Sequence, residues 1–418
     1  MWNGIFEGLA RRVVRDGTLN VTMPDGHRFT TGTGAPEFAI RLTDPALPRR
    51  IVMTPELALG EGYTEGGLVI EGDDLRGFMG LILRNLWAGH RPRMQLLDNW
   101  IRGHARRLGQ WNPAPRARRN VAHHYDLSGE LYDLFLDADK QYSCAYFRSD
   151  EDSLERAQEQ KKAHIARKLR LRPGMRVLDI GCGWGGMALT LARDHGARVL
   201  GVTLSREQHA VATARAREAG LEDRVEFRLL DYRRVEERFD RIVSVGMFEH
   251  VGAPHYDEYF GKIHEILEPE GVALVHTIGR TGPPGVTSSW ISKYIFPGGY
   301  IPALSEMSAA IERSELVSTD IEVWRLHYAK TLRHWEERFT ARIDRARELY
   351  DERFCRMWRY YLVTSELAFV FGGQVVFQAQ IAHRKDAVPI TRDYLYPARP
   401  ERARVVGAAP ATEVAAAP

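Results

Sequence analysis

The sequence predicts an α/β protein: an open, doubly wound parallel sheet covered by helices on both faces, preceded by a smaller α+β domain. Three observations carry this expectation. From about Ser153 short apolar runs alternate with helical stretches, the pattern of repeated strand–helix–strand units. One of those runs passes straight into a glycine-rich turn that opens a helix, as parallel sheets do at the carboxyl ends of their strands. The first hundred residues show no such alternation and are punctuated instead by short β-like runs and turn residues.

Taken in order, residues 1–100 carry turn signals at Met23-Pro-Asp-Gly26, Thr31-Gly-Thr-Gly34 and Gly60 through Gly67. Between them lie β-like runs at 38–42 and 68–70 and a helical apolar pattern at Phe78, Leu81, Ile82, Asn85 and Leu86. No catalytic signal stands out here, so this α+β domain is expected to be structural or to hold lipid. Residues 101–120 read as a linker with a basic face: six arginines and no acidic residue lie between Arg102 and Arg119, with Pro113 and Pro115 among them. Such a face is either a solvated hinge or an attraction to anionic lipid, worth about 1 kcal/mol per basic residue near a membrane surface.

A catalytic domain is expected over 121–390. Its strands fall at 176–180, 198–203, 225–230, 241–245 and 272–278. Ser205 with Gln208 three residues later forms a capping box that opens the second helix, and Gly220 closes it. Beyond Gly279 the alternation stops. A Gly/Pro and aromatic segment follows over 283–300, then a long charged helix near 331–350, then an Ala, Pro and Arg-rich tail at 391–418 that is expected to be disordered.

Composition excludes several classes. With 44% apolar and 27% charged residues, the chain of 418 is neither disordered nor fibrous. No apolar run approaches the roughly 18 residues of a spanning helix, and the amino terminus carries Glu7 and arginines, so neither a span nor a signal peptide is expected. Cys144, Cys182 and Cys355 are too few and too scattered for a disulfide framework or a zinc knuckle, which points to the cytoplasm and to no metal. The net charge of +3 is too small to argue for nucleic acid.

The strongest local signal is Val177-Leu-Asp-Ile-Gly-Cys-Gly-Trp-Gly-Gly186. Its glycines Gly181, Gly183 and Gly186 also satisfy the dinucleotide pattern G-x-G-x-x-G, so a nicotinamide or flavin enzyme has to be weighed. Asp179 decides between the readings. A carboxylate at the end of a buried strand is costly without a partner, and it suits a cationic or hydroxylated ligand better than a pyrophosphate it would repel.

The D-x-G-x-G arrangement of Asp179, Gly181 and Gly183 resembles the first motif of class I methyltransferases, which use S-adenosylmethionine and have a Rossmann-like sheet. The second strand ends in Gly201-Val-Thr-Leu-Ser205, without the acidic residue that commonly grips a ribose. Thr203 and Gln208 are expected to supply those hydrogen bonds. Asp231 is expected to meet the adenine amino group and Tyr232 to stack on the ring.

Four further segments carry a narrower resemblance: His123-His-Tyr-Asp126, Tyr142-Ser-Cys-Ala-Tyr-Phe147, Val245-Gly-Met-Phe-Glu-His-Val-Gly252 and His276-Thr-Ile-Gly279, extended by Trp290-Ile-Ser-Lys-Tyr-Ile-Phe-Pro-Gly-Gly299. In this order, from about Val121 to Arg384, they resemble the cyclopropane-fatty-acyl-phospholipid synthase family, including its mycolic-acid branch. The resemblance implies methyl transfer to a cis double bond of a phospholipid acyl chain, followed by loss of a proton to a bound bicarbonate and closure of a cyclopropane. It implies a bicarbonate cage of the Cys144 backbone N–H, the Glu249 carboxylate, the His276 side chain, the Ile278 backbone and Tyr328, with Tyr142 and Ser143 at the cofactor. It also implies a homodimer at the inner face of an anionic membrane.

An alkene needs no strong nucleophile, because its own electron pair attacks the sulfonium methyl and leaves a carbocation. Aromatic faces stabilise such a cation by about 0.5–2 kcal/mol each, and Tyr142, Tyr146, Phe147, Phe248 and Tyr294 are the candidates. Cys144 as a covalent nucleophile lacks a spaced base, and His123, His124 and Asp126 do not match zinc spacing. His250 and His255 read as a capping or surface pair, and Cys182 as packed against the sheet. The same cation losing a different proton gives a methylene- or methyl-branched chain. A nicotinamide oxidoreductase and a non-catalytic lipid-binding protein are the rivals outside this chemistry.

Overall fold

The computed structural model describes residues 1–89 and 128–396. The basic linker at 101–120, His123, His124 and Asp126, and the tail beyond 396 lie outside the described residues. The amino-terminal unit begins with helix α1 (Trp2–Val13), which buries Phe6, Ala10 and Val13 against a small sheet. Strands β1 (Asp16–Thr22) and β2 (Arg28–Leu42) are joined by the expected turn, where Gly26 adopts φ +88°. The Thr31–Gly34 signal turns the chain inside β2: with positive φ at Gly32 and Gly34, Leu19 of β1 finds partners in both halves, Thr31 and Phe38. Strand β3 (Leu68–Ile70) pairs with the end of β2, Ile40 opposite Ile70.

Three helices complete the unit: α2 (Leu47–Met53), α3 (Pro55–Thr64) and α4 (Leu75–Trp87). Gly60 and Gly62, expected in a turn, stand inside α3. They are there for closeness, since a Cβ on Gly60 would lie 2.4 Å from the Trp290 indole and 2.8 Å from Tyr360. This glycine lets α3 press onto the catalytic part of the chain.

That part is built on seven strands in the order β6-β5-β4-β7-β8-β10-β9. Strands β4 (Arg176–Ile180), β5 (Arg198–Thr203), β6 (Val225–Leu229), β7 (Phe239–Val245) and β8 (Leu267–Arg280) are parallel and agree closely with the expected runs. The chain winds outward from β4 to β6, then returns to β7 on the other side of β4. Such a reversal opens a crevice at the carboxyl ends of the central strands. Between the strands run α5 (Gly129–Asp133), α6 (Leu154–Leu169), α7 (Gly186–His195), α8 (Arg206–Glu218) and α9 (Tyr256–Ile266), with α5 and α6 leading into β4. Ser205 caps α8 as expected, accepting from Gln208 N, while the Gln208 side chain turns away to Thr203 Oγ1 at 2.9 Å.

The sheet does not stop at Gly279. After α10 (Ser289–Tyr294) and α11 (Leu304–Arg313) come β9 (Val317–Trp324) and β10 (Gln374–Ala382), and β10 slots antiparallel between β8 and β9. The expected helix over 331–350 is two, α12 (His327–Ala341) and α13 (Ile343–Leu349), broken at Arg342. A longer helix, α14 (Glu352–Val370), opens on Asp351, whose carboxylate accepts from Phe354 N.

Helices α10 and α14 pack on the amino-terminal unit, so the two parts share one apolar core. Ion pairs fix the join. Arg76 of α4 reaches Glu336 at 2.7 Å and Glu366 at 3.0 Å. The buried Glu61 of α3 receives Lys293 at 2.6 Å and the Tyr294 hydroxyl at 2.8 Å from α10.

Candidate active site

Two cavities meet at the carboxyl ends of β4 and β7. The first, of about 150 Å³, is lined by all nine residues expected at the cofactor: Tyr142, Ser143, Asp179, Gly181, Gly183, Thr203, Gln208, Asp231 and Tyr232. Gly181 has φ +79°, and a Cβ there would come within 2.9 Å of Met247, so the turn after β4 is one that side chains would block. Gly183, φ +53°, leaves open space beside it. Asp179 is buried, and its Oδ2 has no hydrogen-bond partner among the described residues. Burial pushes its carboxyl up to about 7, against the pull of the Lys161 ammonium.

An orphaned buried carboxylate is an unusual expense unless a cationic ligand completes it. The donor set therefore fits S-adenosylmethionine: Asp179 for its positive charge, Thr203 with Gln208 for hydroxyls, and Tyr232 for a flat ring. Asp231 is already engaged, accepting from Arg233 Nε at 2.9 Å and Nη2 at 2.7 Å, so any contact with an adenine amino group is shared with that guanidinium.

The second cavity, about 780 Å³ and mostly apolar, holds all five residues expected at the reaction: Cys144, Glu249, His276, Ile278 and Tyr328. Glu249 follows β7 in a short 3-10 turn. Its Oε1 accepts from Ile278 N at 2.6 Å, while Oε2 is buried without a partner among the described residues. Burial raises its carboxyl to about 7. His276 on β8 is buried and held neutral, and the Gln378 amide of β10 donates to its Nδ1 at 2.9 Å, which leaves the ring hydrogen on Nε2. Tyr328 stands edge-on to Trp335 at the wall.

Two expectations are corrected by this geometry. The Ile278 N–H is taken by Glu249, so it orients that carboxylate rather than facing an anion directly. Of the five aromatics proposed around the cation, only Tyr142 lines the apolar cavity, its hydroxyl bonded to that of Tyr361 at 2.8 Å. Tyr146 stacks on His164, Phe147 on His334, Phe248 on Tyr256, and the Tyr294 hydroxyl points to Glu61. Among the rings that do face the cavity are Trp290, Phe296 and Tyr300 from the 283–300 segment and Tyr360, Tyr361 and Phe369 from α14.

Sequence reasoning missed His250. It is half-buried, it lines both cavities together with Tyr142, Ser143 and Gly246, and desolvation lowers its imidazole to about 4, so it is neutral. Its adjacency to Glu249 was the available signal. His255 does act locally, pairing with Glu258 at 3.1 Å. Cys182 packs behind the glycine turn, as expected.

Cys144 is fully buried, its Sγ is directed to the Ala145 carbonyl at 3.3 Å, and burial pushes the thiol up, away from thiolate. The thiol is not a nucleophile in this setting. Cys144→Ala is accordingly expected to keep turnover within about threefold of wild type, well under the hundredfold or greater loss typical of a removed catalytic group. Abolished turnover in a folded variant would reinstate the covalent role.

The apolar cavity is not confined to the sheet. It runs from Glu249 and His276 into the amino-terminal unit, where Phe6, Leu19, Ile40, Leu42, Phe78 and Met79 form its far wall. The unit expected to be structural or lipid-holding thus closes the reaction chamber.

Comparison with known proteins agrees with this architecture. A sequence model of the mycolic acid cyclopropane synthetase family matches residues 113–379. The chain is 41% identical over 330 residues to the cyclopropane-fatty-acyl-phospholipid synthase of Escherichia coli K12, covering 79% of this chain and 84% of that one. It is 36% identical over 390 residues to a probable fatty acid methyltransferase of Pseudomonas putida, covering 90% and 96%. Among solved structures, the mycolic acid cyclopropane synthase CmaA1 complexed with SAH and CTAB superposes with a TM-score of 0.61 at 33% identity, covering 65% of this chain and 99% of that one.

Proposed function

This chain belongs to the mycolic acid cyclopropane synthetase family of S-adenosylmethionine-dependent methyltransferases, and from that premise we propose that it builds a cyclopropane on the cis double bond of a phospholipid acyl chain. The single observation that carries this reading is the continuous cavity that joins Glu249 and His276 to the apolar wall of the amino-terminal unit. A chamber of that shape suits a long unsaturated chain entering from the lipid side with its double bond at the Tyr142–Cys144 wall.

S-adenosylmethionine supplies a methyl group on a cationic sulfur, and a bicarbonate ion supplies a base that is not itself easily alkylated. The protein's own residues do the positioning. Asp179 holds positive charge in the first cavity, and Tyr142 and Ser143 separate it from the second. Glu249 with its free Oε2 and His276 with its Nε2 hydrogen present an acceptor and a donor toward the same space, which is what a small protonated anion requires. The alkene pair would form the new carbon–carbon bond as the sulfur–carbon bond breaks. One proton would then pass from the added carbon to the base held by Glu249 and His276, and the electron pair left behind would close the ring. The apolar walls exclude water that would otherwise trap the cation.

Contact with a membrane is supported by the surface of the same unit. Ile5, Met53 and Trp87 are about half exposed and Met1 is 92% exposed, with Arg12, Arg49 and Arg50 on the same helices. Large exposed apolar side chains mixed with arginine suit an interfacial site. Among the described residues no helix is long and apolar enough to cross a membrane.

The reading is tested with vesicles and methyl-labelled cofactor. Label is expected in the acyl chains of monounsaturated phospholipid and absent from fully saturated vesicles, and turnover is expected to fall when dissolved bicarbonate is removed and to return when it is restored. Equal labelling of both lipids would overturn the alkene as acceptor. A second reading, a branched rather than cyclic product, draws support from the Pseudomonas putida relative, which is named a fatty acid methyltransferase.

A further inference from the structure

Helix α6 carries a lysine in a place that the mechanism above leaves unexplained. Lys161 is fully buried and lines neither cavity. Its Nζ donates to Gln141 Oε1 at 2.8 Å and to Ser143 Oγ at 2.7 Å. One turn earlier, the Gln158 amide donates to the backbone carbonyls of Gln141 at 3.1 Å and Ser143 at 3.0 Å. The two side chains clamp one short stretch from the same helix face. That stretch is the partition: Gln141 and Ser143 line the cofactor cavity, and Ser143 and Cys144 line the apolar one.

We propose that Lys161 is a positioning residue of the methyl transfer, which fixes the partition between the two cavities and sets a positive charge behind the wall of the cofactor cavity that Asp179 also lines. The inference rests on the methyl-transfer reading and adds to it a residue that touches neither substrate. A neutral donor, Gln158, already holds the backbone carbonyls of this stretch one turn away, and burying an ammonium is costly, so what Lys161 adds to the clamp beyond its two hydrogen bonds is its charge.

The groups that face that charge are Asp137, Asp139, Asp179, Cys144, His276 and the neighbouring Lys162. Asp139 is already paired with Lys162 and Arg215, and Asp137 accepts from Gln141 N at 2.9 Å and Asp139 N at 3.0 Å. Cys144 is a protonated thiol and His276 a neutral ring. Asp179 is the one among them with an oxygen that no described residue satisfies, and the Lys161 ammonium pulls its carboxyl down against burial. Burial brings Lys161 down to about 8, so it carries its charge through neutral pH.

The test is calorimetric titration of the full chain with S-adenosylmethionine between pH 6 and 9, for wild type and Lys161→Met, alongside melting temperature. At neutral pH the variant is expected to bind several-fold more weakly, as loss of the ammonium's pull on the Asp179 carboxyl dictates, and to recover most of that loss by pH 9. In an Asp179→Asn background the same substitution is expected to leave affinity within about twofold, since the two effects share one group. An equal loss at every pH, or none, overturns the proposal. Should the methionine variant fail to fold, Lys161→Gln keeps a donor toward Ser143 without the charge and is read the same way. Binding needs no acyl acceptor, so failure of the acyl reading shows separately, as wild type that binds cofactor and labels no lipid.

Discussion

Asp179→Asn is expected to weaken S-adenosylmethionine binding by roughly 30-fold, about 2 kcal/mol, the scale of a hydrogen bond to a charged group lost from a buried site. The pH dependence identifies the cause. With the free carboxyl at about 7, the ionised fraction rises from about one tenth at pH 6 to about nine tenths at pH 8, so wild-type affinity climbs roughly tenfold over that window. The variant's affinity is expected to be flat across it. The substitution also relieves the free protein. Because burial raises this carboxyl, its ionisation opposes folding; the opposition is absent below the ordinary carboxylate range, grows as pH rises from there to about 7, and is constant above. The ligand-free variant should melt above wild type at pH 8 and by a clearly smaller margin at pH 5. Calorimetry and thermal melts at the two pH values check both statements, and unchanged affinity would remove the role given to Asp179.

Glu249→Gln is expected to act on turnover instead. The glutamine keeps the size and one acceptor for Ile278 N, while it loses the capacity to share a proton at the position of Oε2. Proton transfer by a positioned group is worth about 10²–10⁴ in rate, so kcat is expected to fall at least hundredfold. Cofactor affinity should stay within about twofold, since Glu249 lines the apolar cavity and not the cofactor cavity. Wild-type turnover in this variant would dismantle the anion cage. A matched loss of cofactor affinity would show that the two cavities are not the separate compartments described here.

The parallel strands were legible because the central ones are buried on both faces and read as near-continuous apolar runs, and the edge strand β6 still alternates apolar Val225, Phe227 and Leu229 with charge. Strand β10 was not. Gln378 and Gln380 are fully buried in it, one serving His276 and the other accepting the task of bonding the Lys168 carbonyl, and polar residues in a central strand erase the pattern that announces it. Val375 and Phe377 are sheet core in this strand. The cofactor residues were legible through spacing, since D-x-G-x-G sits where a strand must become a turn. The clamp on α6 was hidden for the opposite reason. A helix reading Leu-Glu-Arg-Ala-Gln-Glu-Gln-Lys-Lys is polar enough to pass for a solvated face, yet Gln158, Lys161 and Lys168 are all buried.

The aromatic assignments failed because proximity in sequence to Cys144 does not fix direction. Residues Tyr142 to Cys144 stand in the chamber, whereas Tyr146 and Phe147 turn away from it to stack on His164 and His334. Many of the rings that do line it come from α10, the turn after it, and α14, far along the chain. The share of the amino-terminal unit in the chamber was equally out of reach, since no local pattern announces that Phe78 and Glu249 wall one cavity.

The most direct test of the central claim is proton NMR of lipid extracted after the purified protein has acted on monounsaturated phospholipid vesicles with methyl-labelled S-adenosylmethionine. Cyclopropyl protons bearing the label, in acyl chains still esterified to the phospholipid, are the predicted result. Labelled vinylidene or methyl-branch protons would contradict ring closure while leaving the two-cavity site in place. Bound cofactor with no label in any acyl chain would contradict the lipid acceptor itself.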